Sequence, residues 1–189
     1  MGNFNDDIAK SLNVLNNDGI ILYPTDTVWG LGCDATNSIA VKKIYQLKKR
    51  EEKKSMIILL ANENDLLKYV FHPSKKIIDF LSNQIKPTTA IFKNAINLPE
   101  ALINADGSIA IRIVKDDFCR KLISRFKKPI VSTSANISGS NSPKNFIDVS
   151  AEIKSGVDYI VQHRQDEIKT FEPSAIIKLN DDNEIERIR

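Results

Sequence analysis

The chain has 189 residues, 42% of them hydrophobic and 27% charged, with a formal net charge of +3. That length suits one domain with a substantial core, the charge is too small to argue for a general polyanion partner, and no apolar run reaches membrane-spanning length. Cys33 and Cys119 form no CxxC pair, and His72 and His163 lack ligand-like neighbours, so reduced thiols are expected and a zinc site is not.

The first residues carry neither a basic stretch nor an apolar one, so no secretory leader is expected and the protein is placed in the cytoplasm. Ile8, Leu12 and Leu15 recur at helical spacing and predict a helix over 6–17. Ile20 to Tyr23 reads as a short buried strand that stops at Pro24, and Thr25-Asp26-Thr27 follow at once. In open α/β sheets ligands bind beyond the carboxyl ends of strands, which makes this cluster a site candidate; a solvated turn is the alternative. Asn37 or Ser38 caps a helix to about Lys49 that is expected to bury Ile39, Ile44 and Leu47.

Between positions 42 and 54 seven basic residues accompany two acidic ones. Such a local excess suits an anionic ligand, or else a solvated helix face. Met56 to Leu60 predicts a buried strand, Asn64-Asp65 a short helix, and 74–84 another. A strand is expected over Thr88 to Lys93. Ser108 to Val114 alternates, with Ile109, Ile111 and Ile113 on one face and Ala110 and Arg112 on the other. A cation on that strand costs free energy unless it meets an anion.

Asp116 caps a helix to Phe126, and Pro129 to Val131 forms a strand that runs into Ser132-Thr133-Ser134-Ala135-Asn136, a second strand-then-hydroxyl arrangement. A helix near 145–154, a strand at 157–161 and a hairpin around Asn180 to Asn183 complete the chain. These elements predict a single α/β domain over 1–189, with a twisted mixed β-sheet and flanking helices.

Hydroxyls, an amide and several cations suit a ligand with phosphates and a carboxylate, because Arg forks onto a carboxylate and Lys acts as a compact charge. Phosphoryl or nucleotidyl chemistry needs mostly positioning and charge stabilisation. The common nucleotide loops are absent from the sequence: there is no GxxxxGK[ST], and Gly30-Leu31-Gly32 is only a fragment of GxGxxG. A Ser-His-Asp hydrolase is not expected, since Ser134 lacks G-x-S-x-G flanks.

Five segments together resemble the YrdC-like family of threonylcarbamoyl-AMP synthases, in its short single-domain form. They are Tyr23 to Gly32, Lys48-Lys49-Arg50, Ser108 to Arg112, Ser132 to Asn136, and Phe171-Glu172-Pro173-Ser174-Ala175-Ile176. The resemblance implies a deep, positively lined cleft. It implies that L-threonine, bicarbonate and ATP with Mg²⁺ yield threonylcarbamoyl-AMP and pyrophosphate, with no tightly bound cofactor. Downstream transfer proteins would pass the group to the adenosine beside the anticodon of certain tRNAs. Carried over by position, Lys48 and Arg50 would be catalytic and meet the ATP phosphates, while Ser108, Ser134, Asn136 and Ser142 would contact the nucleotide. Thr25, Arg112, Ser132 and Ser174 would hold threonine, with Arg112 on its carboxylate.

The chain departs from the family pattern at Glu51, where proline is usual, at Lys54-Ser55, and in the shortened turn Ile85-Lys86-Pro87-Thr88. Two further readings stay open: an RNA-binding module for tRNA or another structured RNA, and the same fold acting on a different small substrate.

Overall fold

The computed structural model describes residues 4–52, 54–168 and 173–189. Phe171 and Glu172 of the closing segment fall outside the described residues. Strands β1 (Ile21–Tyr23), β2 (Gly30–Gly32), β3 (Ile57–Leu60), β4 (Thr88–Phe92), β5 (Ile109–Ile113), β6 (Ile130–Ser134), β7 (Tyr159–Ile160), β8 (Ala175–Leu179) and β9 (Ile185–Arg187) join in one sheet. Their order is β7-β1-β2-β6-β3-β5-β4-β8-β9. Three parallel pairs (β1 with β7, β3 with β5, β4 with β8) stand among antiparallel ones, so the sheet is mixed as expected.

Both faces of the sheet are covered, and the period-two alternation of strand side chains decides which residue goes where. Ile20, Leu22, Ile58, Leu60 and Val131 enter one core. There they meet Val41 and Ile44 of α2 (Ser38–Leu47), Ile77 and Leu81 of α3 (Lys75–Ser82), and Ile153 of α5 (Ala151–Ser155). Their neighbours Ile21, Tyr23, Leu59 and Ile130 enter a second core. This one is closed by Ile8 and Leu15 of α1 (Asn5–Asn16) and by Phe118, Leu122 and Phe126 of α4 (Asp117–Phe126). The predicted caps are in place: Asn37 accepts from the amides of Ile39 and Ala40, and Asp116 from that of Cys119.

Two expectations differ from the structure. Ile39 is 61% exposed, because α2 buries the stripe Ala40, Val41, Ile44 and Tyr45 and Ile39 lies off it. The helix expected near 145–154 is broken into a 3₁₀ turn, Phe146–Asp148, and α5. Side chains interrupt it there: Asp148 accepts from the Lys144 and Asn145 amides, and Ser150 caps α5 separately. Gly30-Leu31-Gly32, to which the sequence reading assigned no element, is a strand laid between β1 and β6 in the register Tyr23–Gly30–Ser134.

Candidate active site

The end of β6, the start of β2 and the start of β3 lie side by side, and with Arg112 of β5 they line a cavity of about 220 Å³. The segment that enters β8 and the last residue of the chain complete its wall. Arg50, Arg112 and Arg189 line it with seven hydroxyl-bearing residues, Thr27, Ser55, Ser132, Thr133, Ser134, Ser142 and Ser174. No acidic side chain stands among its described lining residues. Three guanidinium groups and a ring of hydroxyls fit an anionic, oxygen-rich ligand.

Arg112 is 3% exposed and meets the anion it needs: its Nη2 lies 3.1 Å from Asp26 Oδ1. The contact is ionic but lacks hydrogen-bond geometry, and the Nε of Arg112 has no hydrogen-bond partner among the described residues. Nη1 makes a long contact, 3.4 Å, to Thr27 Oγ1. Burial is the main reason the Asp26 carboxyl is held above the usual range. Arg112 opposes that rise, and Asp116 adds to it.

The Thr25-Asp26-Thr27 cluster works as a unit. Thr25 Oγ1 accepts from the Thr27 amide at 3.0 Å, donates to the Val28 carbonyl at 2.8 Å, and sits 2.9 Å from Thr27 Oγ1. Both threonines are buried, and Thr27 is the one that lines the cavity. Opposite it, Ser174 Oγ pairs with Thr89 Oγ at 2.8 Å, which fixes the entry to β8 against β4.

Lys48 is placed differently from the phosphate-facing position expected of it. Continuing the buried stripe of α2, it is 1% exposed and stands outside the residues that line the cavity. Its Nζ donates to the backbone carbonyls of Ser134 and Asn136. Burial first, and the Arg50 cation second, push this amine down to about 8. Arg50 lines the cavity, and its guanidinium also holds the carbonyls of Lys54 and Ser55.

Ser108 and Asn136 are not brought to the cavity wall. Ser108 precedes Arg112 by four residues, a strand distance of about 13 Å. It donates to Asp106 Oδ1 at 2.6 Å within a separate cavity of about 370 Å³. The Asn136 amide donates to Ile137 and Ser140 carbonyls and shapes the loop after β6. The basic segment contributes Arg50 alone to the described cavity wall; Lys42, Lys43, Lys49 and Lys54 are exposed, with Lys49 paired to Glu152.

Residues 13–189 match the Sua5/YciO/YrdC family, described as telomere recombination. The chain belongs to that family. Within the Sua5/YciO/YrdC proteins it is 34% identical over 157 residues to the threonylcarbamoyl-AMP synthase of Pseudoalteromonas translucida (strain TAC 125), covering 82% of this chain and 84% of that protein. It is 37% identical over 169 residues to a putative threonylcarbamoyl-AMP synthase of Methanocaldococcus jannaschii, covering 88% and 77%. Two solved structures share the fold. P. abyssi Sua5 complexed with L-threonine has a TM-score of 0.80 at 24% identity, over 91% of this chain and 50% of that one. E. coli YciO has a TM-score of 0.81 at 21% identity, over 97% and 88%.

Arg189, Thr27, Ser55 and Thr133 are cavity residues that the sequence reading did not select. Thr27 and Thr133 sit inside the polar clusters it recognised, so a fuller use of those clusters would have found them. Arg189 reaches the site because β9 folds back along β8, placing its Nε and Nη2 3.2 Å from the Ser174 carbonyl. Among the described residues no cluster of three or more His, Cys, Asp or Glu is arranged to hold a metal. No helix among them is long and apolar enough to cross a membrane.

Proposed function

We propose that this chain makes threonylcarbamoyl-AMP and pyrophosphate from L-threonine, bicarbonate and ATP. The observation that carries the reading is the cavity in which Arg50, Arg112 and Arg189 converge among hydroxyls, with no acidic side chain among its described lining residues. Its weight comes from the setting: a member of a family whose relatives at 34% and 37% identity carry that activity in their names.

In this reading the threonine carboxylate lies on Arg112, whose Nε has a hydrogen bond to give, with Thr27, Ser132 and Ser174 around the substrate side chain. Thr25 acts from behind, by fixing Thr27. Arg50 faces the ATP phosphates and stabilises charge that develops at the α-phosphate as the carbamate oxygen attacks it. Ser134 and Ser142 contact the nucleotide. Lys48 ties down the carbonyls of Ser134 and Asn136, and it reaches phosphate only if that loop opens. Ser108 has no place in this site. Mg²⁺ would enter with ATP and neutralise phosphate charge, and no carboxylate among the described lining residues offers it a ligand. Transfer proteins carry the product to tRNA.

The test is pyrophosphate release from ATP and bicarbonate, with and without L-threonine, in wild type and Arg50→Ala. Threonine-dependent release, lost in the variant, is the expected result. Release that ignores threonine assigns the fold to another small substrate, and no release under any condition removes the synthase reading.

A further inference from the structure

Asp26 and Arg112 present opposite charges 3.1 Å apart, and each has bonding capacity left over. The Nε of Arg112 and Oδ1 of Asp26 are both buried without a hydrogen-bond partner among the described residues. Unspent polar groups inside a protein are costly and need an explanation. One of them alone would be satisfied by a simple anion or cation. A positive and a negative group side by side match a zwitterion, and an α-amino acid carries its two charges on one carbon.

We propose that Asp26 receives the α-ammonium group of the amino acid whose carboxylate Arg112 holds, and removes one proton from it. This rests on the synthase reading above. An ammonium nitrogen has no lone pair, so it cannot attack carbon until a proton is gone. An N–H bond breaks and an O–H bond forms on Asp26. The freed nitrogen then attacks bicarbonate: a C–N bond forms, a C–O bond breaks, and the hydroxyl leaves as water with a second nitrogen-bound proton. The products are the carbamate and water, and Asp26 later returns its proton to solvent.

The surroundings suit a base that must give its proton back. The Asp26 side chain is 13% exposed, and it borders a small cavity of about 80 Å³ with Glu63, Lys86 and Lys115, separate from the larger cavity that Arg112 lines. The proton therefore has a route out that does not cross the bound substrate. The charges acting on Asp26 come from Arg112 on β5, Asp116 at the start of α4 and Arg164 after β7. Tyr23 and Cys119 also lie within its influence, and burial holds both of them protonated. The net effect keeps the carboxyl above its ordinary range, nearer the working pH that a proton acceptor requires.

The experiment measures pyrophosphate release against L-threonine concentration from pH 5.5 to 9 in wild type, Asp26→Asn and Asp26→Glu. Calorimetric binding of L-threonine and of 3-hydroxybutanoate, its amine-free analogue, is measured alongside. Asp26→Asn is expected to lose about 10²-fold or more in kcat, as removal of a general base does. It should also lose the acidic limb of the pH–rate profile and the preference for threonine over the amine-free analogue, while Asp26→Glu recovers part of each. If Asp26→Asn raises only KM and keeps the acidic limb and the preference, Asp26 merely neutralises Arg112 and the proposal is overturned. Wild type that releases no pyrophosphate with threonine overturns the synthase reading itself, a separate outcome.

Discussion

Lys48 Nζ donates to the carbonyl oxygen of Asn136 at 2.7 Å, joining the end of α2 to the loop after β6 across 88 residues of sequence. The amine has no acidic partner among the described residues, so its charge is buried against carbonyl dipoles and carries a desolvation cost.

That cost has a definite pH dependence. In the folded chain the amine titrates near 8, and in the unfolded chain near the ordinary value of about 10.4. Between these two values the unfolded chain binds more protons, so stability rises with pH there and the full cost is present below the lower one. Lys48→Met is expected to flatten the dependence of melting temperature on pH between about 8 and 10.4. Melting curves of wild type and variant across that range check it, and an unchanged slope in the variant would show that Lys48 is not its source.

The two glycines of β2 predict opposite kinds of damage. A Cβ on Gly32 would lie 2.7 Å from Tyr23 Cε1, 2.9 Å from Ile130 Cγ2 and 3.1 Å from the Val131 carbonyl. Gly32→Ala should therefore destabilise the fold by about 1–3 kcal/mol through overpacking, each kcal/mol lowering the melting temperature by about 2–4 °C. On Gly30 a Cβ would lie 3.3 Å from the Thr133 carbonyl and 3.7 Å from Ser132 Oγ, at the cavity wall. Gly30→Ala should melt closer to wild type and show the larger rise in KM for threonine or ATP.

These cases also show which features the sequence alone makes visible. Caps such as Asn37 and Asp116 are local bonds between neighbours, so residue type and position suffice to place them. β2 is different: two of its three residues have no side chain to carry a pattern, and only contact with β1 and β6 makes it a strand. Lys48 was legible in part, since it continues the spacing of Val41, Ile44 and Tyr45, but its charge argued for the surface. Arg112 was correctly read as a strand cation needing an anion, whereas its partner Asp26, 86 residues earlier, is fixed only by the β1–β2 and β3–β5 geometry. Arg189 was invisible, because nothing in its neighbours tells that β9 returns it to Ser174.

The hydroxyls of Ser174 and Thr89 form a buried pair whose loss should be non-additive. Removing either one strands the other without its partner, at a cost of about 1–3 kcal/mol. Removing both leaves no orphan, so Ser174→Ala with Thr89→Ala should cost less than the two single changes summed. Urea unfolding of the three variants checks this. Additive costs would mean that water or another group takes over each hydroxyl.

Asp26 predicts a variant that gains stability as it loses activity. Its carboxyl is held above the ordinary carboxylate range mainly by burial, with Arg112 only partly compensating. Ionised Asp26 therefore destabilises the folded chain. The sign follows from proton binding: between the unfolded value of about 3.9 and the raised folded value, the folded chain holds the proton better, so stability falls as pH rises through that window and stays lowered above it. Asn cannot ionise and mimics the protonated form in shape. Asp26→Asn is thus expected to melt above wild type at pH 7–8, with the gap closing as the pH falls toward 4, and to be the less active protein at every pH. Such a trade between stability and activity is usual where a site holds a group in an unfavourable state. Paired thermal melts at pH 4, 6 and 8 decide the matter: a variant that melts below wild type at pH 8 would mean that the Arg112 ion pair outweighs the burial of Asp26.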